Sequence, residues 1–164
     1  TRMITSLSGQ MKDIFTDSFR AINENFGRVF TELFGGGEAS LADCPDLGPI
    51  LMVLGLFCEN GLVLRHAQRL RLKESDRIAA MEEEIRKMGG RIESDDGTVR
   101  VFKSALHGAA LCAHNDHRVA MAMAVAALAA GVPASIDGAE CVEKSWPEFW
   151  QVLQTCLGAE VTLL

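Results

Sequence analysis

No two cysteines in this chain stand at C-x-x-C spacing. The five present, Cys44, Cys58, Cys112, Cys141 and Cys156, are scattered and odd in number. That pattern argues against a disulfide framework and for reduced thiols in a cytoplasmic setting. An excess of positive charge is missing as well. The formal net charge is -6, which excludes a general nucleic-acid or acidic-membrane binder, because such proteins need a net or clustered positive surface. No apolar run is long enough to span a bilayer; the longest, around Val119 to Val132, is alanine-rich and too short. No signal-peptide pattern opens the chain. Its first residue is Thr1 rather than a methionine, which points to a processed, trimmed or fragmentary product. What remains is an average soluble composition, 48% hydrophobic and 23% charged over 164 residues. That is enough for one domain or two small ones with a real core.

Two textures divide the chain. In residues 1–34 apolar side chains fall at Ile4, Leu7, Met11 and Ile14, then Phe15, Phe19, Ile22, Phe26, Val29 and Leu33. Spacings of three and four predict an amphipathic helix with a phenylalanine-rich stripe. "FGGGE" at Phe34 to Glu38 stops it, since three glycines favour non-helical and left-handed backbone. Beyond Ser40 short strands and helices alternate. "DLGPILMVLGLFCENG" reads as a buried helix and "LVLR" as a strand. Ile78, Met81, Ile85 and Met88 share one helical face, with Glu82/Arg86 and Glu83/Lys87 as i,i+4 pairs outside. "RIES" and "TVRVF" flank a "DDG" turn as a hairpin. "DHRVAMAMAVAALAAG" reads as a closely packed helix, "ASID" as a strand, "PEFWQVLQTCL" as a helix and "AEVTLL" as a closing strand. The fold class is therefore α/β or α+β, with helices covering sheets.

Chemistry concentrates in "RLRLKESDR", residues 69–77. Ser75 or Asp76 suits the start of a helix, where a side-chain oxygen caps free N–H groups. Capping leaves Arg69, Arg71, Lys73 and Arg77 unexplained, because cations are disfavoured at that end of a helix dipole. Cations beside exposed helix N–H groups would make an anion site for phosphate. Both readings stay open on the residues alone. "HNDHR" at 114–118 has His114 and His117 three apart, Cys112 before them and Asp116 between. No second ligand pair follows, which disfavours a metal site, and Asp116 can cap the helix that begins there. His117 and Arg118 then read as a further anion-binding pair. Lys144 lies just before a helix opened by Pro147. Asp46 in "DCPDLGP" reads first as a helix N-cap.

Taken together, "DCPDLGPILMVL", "RLRLKESDRIAAM", "HNDHRVAMAMAVAAL" and "ECVEKSWPEFW" resemble, in order and spacing, the C-terminal part of the 3-phosphoshikimate 1-carboxyvinyltransferase (EPSP synthase) family of the shikimate pathway. The resemblance covers residues 43–164. Residues 1–41, with "FRAINENFGRVFTELFGGGEASL", look instead like the start of the C-terminal head lobe of an SMC chromosome-partition ATPase, without any of its nucleotide-binding motifs. On this reading the chain is a chimera, divided into residues 1–41 and 42–164.

The EPSP synthase resemblance implies a partial domain of β-α-β-α-β-β units. It also implies transfer of the enolpyruvyl group of phosphoenolpyruvate to shikimate-3-phosphate with release of phosphate, without cofactor or metal. By motif, Asp46 matches an aspartate that contacts the shikimate hydroxyls and serves as a base. Glu74 matches the glutamate of proton transfer at the enolpyruvyl carbon, and Lys73 a lysine close to both substrates. Arg77, Arg118 and Lys144 match the cations that bind phosphoenolpyruvate, and His117 the neighbouring histidine. The lysine, serines and arginines that hold the shikimate phosphate in the family's N-terminal domain have no counterpart here. The expectation is a half-site: family substrates bound weakly or not at all, and no substantial turnover. Self-association through the 1–34 stripe as a structural module with no catalytic activity, without nucleic acid or membrane, is the alternative; an SMC-like chromosome-partition role comes last, because the nucleotide motifs are missing and the charge is negative.

Overall fold

The structure, a computed structural model, describes residues 36–158 and residue 160. The helix expected over residues 1–34 lies outside the described residues. So does the closing strand expected at 159–164, apart from Glu160.

The described chain opens in β1 (Gly37–Ser40) rather than in a glycine turn that stands apart. Gly36, at φ 84°, has the left-handed backbone that the glycine run predicts, and the strand begins directly after it. A 3-10 turn at Pro45–Leu47 leads into α1 (Gly48–Phe57), and β2 follows at Leu62–Arg65. A 3-10 segment at Ala67–Leu72 precedes α2 (Arg77–Lys87), then β3 (Arg91–Ser94) and β4 (Thr98–Phe102). The four strands form one sheet in the order β1-β2-β4-β3, with β1 parallel to β2 and the other pairs antiparallel. This succession is one complete β-α-β-α-β-β unit. A second begins with β5 (Ala109–Cys112), α3 (His117–Ala130) and β6 (Ala134–Asp137), where β5 and β6 pair in parallel. A 3-10 segment at Ala139–Lys144 and α4 (Phe149–Leu157) follow.

Apolar patterning fixes the layers. Ile78, Met81, Ile85 and Met88 are all fully buried, as one face of α2 must be to cover the sheet. α1 is apolar nearly all round and packs against β2, β4 and α3. Gly55 permits that approach: a Cβ there would stand 2.9 Å from Leu62 Cβ and from Val101 Cβ. α3 buries Val119, Ala122, Met123 and Ala126 in the main core. Its Ala120 and Ala124 meet Cys141, Val142, Phe149 and Leu153 in a smaller one. Small side chains let one helix serve both layers at close range. Leu41, fully buried in the main core, ties β1 to the rest. None of the five cysteines, all within the described residues, is in a disulfide. Among the described residues no helix is long and apolar enough to cross a membrane.

Sequence patterning missed β5, whose "AALC" carries no alternation, and β1. Both take their strand character from the parallel partner alongside them, which periodicity within four residues cannot reveal.

Candidate active site

Three element starts meet at one place: the 3-10 turn bearing Asp46, the N-terminus of α2 and the N-terminus of α3. Asp76 caps α2, its carboxylate accepting from the Ala79 amide at 3.0 Å. Asp116 caps α3, accepting from the Arg118 amide at 2.9 Å. Both caps agree with the sequence reading. Asp46 does not cap. It sits inside the 3-10 turn, and Leu47 precedes α1 with no side-chain cap. Its carboxylate faces the cations instead, because a helix opened by Gly48-Pro49 already lacks one of the N–H groups a cap would bond.

Arg77 is the hub. Its side chain is fully buried and its guanidinium donates to three carboxylates. Nε reaches Asp116 Oδ2 at 2.7 Å, Nη1 reaches Asp46 Oδ1 at 2.9 Å, and Nη2 reaches Glu74 Oε2 at 2.6 Å and Asp116 Oδ1 at 3.3 Å. Ser75 donates its hydroxyl to Asp116 Oδ2 at 3.1 Å. Lys73 Nζ lies 3.1 Å from Asp46 Oδ1. Arg118 reaches the Asp46 carboxylate at 3.3 Å and the Asp46 carbonyl at 3.4 Å. The cations at 69–77 that capping could not explain are thus paired across elements. Arg71 bonds Asp76 at 3.1 Å, and Arg69 bonds the Ala42 carbonyl at 3.4 Å.

Electrostatics follow the geometry. Burial alone would lift the Asp116 carboxyl, but the Arg77 guanidinium, the Arg118 amide and Ser75 outweigh it and hold it below the ordinary aspartate value. Lys73 first, with Arg77 and Arg118, holds the Asp46 carboxyl down against its partial burial. For Arg77 burial opposes the charge, and its carboxylate partners more than restore it. All three groups are ionised at neutral pH.

Asp46, Lys73, Glu74, Arg77 and Arg118 therefore converge. Lys144 stands beside them through the loop that carries Asn115, donating to Asn115 Oδ1 at 3.0 Å. His117 is the first residue of α3 and is half-buried, next to Arg118. Sequence reading missed Asp116 as the partner of Arg77, and Ser75 as a donor to it. The one available signal was an arginine at a helix start, which demands a buried carboxylate from elsewhere in the chain.

A separate set, Glu83, Glu84 and His114, brings three potential metal-ligand atoms within 4.8 Å of one another among the described residues. Lys87 Nζ already bridges its two carboxylates, at 2.8 Å from Glu83 and 2.9 Å from Glu84. The ammonium supplies the positive charge an ion would bring.

Comparison with known proteins decides the family. A family model described as EPSP synthase (3-phosphoshikimate 1-carboxyvinyltransferase) matches residues 17–153. The chain belongs to the EPSP synthase family. It is similar to the 3-phosphoshikimate 1-carboxyvinyltransferase of Clostridium acetobutylicum, 44% identical over 161 residues, covering 96% of this chain and 37% of that one. The corresponding protein of Koribacter versatilis is 46% identical over 123 residues, covering 74% of this chain and 28% of the relative. A solved structure of EPSP synthase from Acinetobacter baumannii superposes with a TM-score of 0.58 at 29% identity, covering 70% of this chain and 27% of that one. The chain thus spans 28% to 37% of the length of these curated EPSP synthase relatives. The family match begins at residue 17, inside the segment 1–41 that the sequence reading set apart from the EPSP synthase part.

Proposed function

We propose that these residues carry one half of an enolpyruvyl transferase site, holding anion-binding and proton-handling groups of EPSP synthase. The observation that carries the reading is the convergence of Asp46, Lys73, Glu74, Arg77 and Arg118 at three element starts. On this reading phosphoenolpyruvate is gripped by Arg118, Lys144 and Arg77. Asp46 takes the proton of the attacking shikimate-3-phosphate hydroxyl, Glu74 handles the proton at the enolpyruvyl carbon, and Lys73 lies close to both substrates. His117, the residue before Arg118 in the same motif, is the neighbouring histidine of that reading.

The cations differ in how freely they can meet a ligand. Arg77 is enclosed by carboxylates, so an anion reaches it only as Asp46 or Glu74 moves aside. Arg118 holds Asp46 by contacts of 3.3 to 3.4 Å, and Lys144 bonds a neutral amide. These two are the cations that exchange partners at least cost, because neither gives up a short charge-assisted bond. Binding of phosphoenolpyruvate to them would release Asp46 from Arg118 and leave it facing Lys73 and Arg77. That makes it a base with nearby cations to balance it.

Turnover is another matter. Stabilising a transition state requires donors on all sides and exclusion of water, and the chain spans only about a third of its relatives. The reading therefore holds that this chain alone binds weakly and does not turn over, in the cytoplasm where shikimate-pathway substrates would be met. Incubation with phosphoenolpyruvate and shikimate-3-phosphate tests it: phosphate release should match a Lys73→Ala control. Release far above that control would show a complete site.

A further inference from the structure

Two consecutive residues in the loop between β5 and α3 occupy left-handed backbone, His114 at φ 51° and Asn115 at φ 55°. Neither is a glycine, so the surroundings must hold them there. The turn is closed by the Asp116 amide, which donates to the Ala113 carbonyl at 2.9 Å, and its side-chain anchor is Glu84, which is fully buried on α2. Its Oε2 accepts from the Cys112 amide at 3.0 Å, its Oε1 accepts from the His114 ring at Nε2 at 2.7 Å, and Lys87 Nζ lies 2.9 Å from the same oxygen. The His114 amide also donates to Cys112 Sγ at 3.3 Å. Lys87 on the same helix would suffice to balance the Glu84 charge. The bonds to Cys112 and His114 do something else, because they join α2 to the loop that ends β5.

The next two residues of that loop belong to the half-site. Asn115 accepts from Lys144, and Asp116 accepts from Arg77. Arg77 itself starts α2, the helix that carries Glu84. One end of α2 thus presents the guanidinium, and a later turn of the same helix anchors the loop that presents its partner.

We propose that Glu84 and His114 are positioning residues, whose hydrogen bond fixes the left-handed turn at 114–115 and so delivers Asp116 to Arg77 and Asn115 to Lys144. Its functional consequence rests on the half-site reading; its structural content does not. Two variants separate the ring from the backbone. His114→Gly removes the ring and is at ease at positive φ, while His114→Gln keeps an amide nitrogen that can donate about where Nε2 stands. Two readouts are followed by NMR: solvent exchange of the Arg77 Nε–H, and shifts at Arg118 and Lys144 on titration with inorganic phosphate.

His114→Gly should speed Arg77 Nε–H exchange roughly tenfold, about what losing one hydrogen bond to a charged group allows, and should weaken phosphate binding. His114→Gln should restore both towards the wild type. The amides of Ile92 and Val99 in the β3–β4 hairpin should exchange at unchanged rates in both variants. Wild-type exchange at Arg77 in His114→Gly overturns the proposal, and so does His114→Gln behaving like His114→Gly. An equal rise at Ile92 and Val99 also overturns it, since the effect would then be global. Failure of the wild-type chain to bind phosphate would count against the half-site reading alone, and the exchange rates would still decide the clasp.

Discussion

Arg77 concentrates the energetic risk of this molecule in one side chain. A buried guanidinium facing three carboxylates is stable only while all partners are present, because deleting it strands two fully or partly desolvated anions. Arg77→Ala should cost about 3–5 kcal/mol in urea unfolding. Arg91→Ala, which breaks an exposed pair with Glu93 and a guanidinium stack over the Phe102 ring, should cost at most about 2 kcal/mol. Equal losses in the two variants would contradict the assignment of Arg77 as the hub.

The same cluster sets the acid limit. Asp116 and Asp46 have carboxyls held below their ordinary value of 3.8 in the folded chain. A group lowered on folding contributes stability that is complete above its unfolded value and is lost as pH falls through the folded one. The urea midpoint should therefore hold from neutral pH down to about 5 and decline below about 4. Asp116→Asn should start lower and show a shallower acid decline. An unchanged acid slope in that variant would mean that other carboxylates govern it.

At the scale of elements, packing depends on how closely α1 lies on the sheet. Gly55→Ala improves helix propensity by about 1 kcal/mol, but its methyl would stand 2.9 Å from two Cβ atoms. Overpacking of that kind costs about 1–3 kcal/mol, so the variant should be net destabilised in urea unfolding. A stabilised Gly55→Ala would mean that the α1–sheet spacing gives way easily. Elements with a period of their own were legible beforehand. The buried face of α2, the β3–β4 hairpin, β2 and both aspartate caps follow from residues within a dozen positions of one another. β1 and β5 were not legible, because each is a four-residue strand defined by a parallel partner about 25 residues away. Glu84 was hidden for a related reason: on α2 it looks like another exposed acid beside Glu82 and Glu83, and only the fold shows it buried against Cys112 and His114.

At the scale of the whole molecule, the described chain holds one full β-α-β-α-β-β unit and the start of another, in a family whose curated relatives here are more than two and a half times as long. The candidate residues were named as a set from their motifs, and the structure brings Asp46, Lys73, Glu74, Arg77 and Arg118 together. Their mutual pairing was not legible. Sequence marks which cations are present, but only three-dimensional geometry shows that Arg77 is already wrapped in carboxylates while Arg118 and Lys144 hold looser partners. That division leads to an ordered expectation, with ligand anions meeting Arg118 and Lys144 before Arg77.

The most direct test is an NMR titration of the chain with phosphoenolpyruvate, following Arg118, Lys144 and, as a surface control, Arg91. Saturable shifts at Arg118 and Lys144, absent at Arg91 and lost in Arg118→Ala, are the predicted result. Equal, non-saturating shifts at all three positions would contradict the claim that this chain carries an anion-binding half-site.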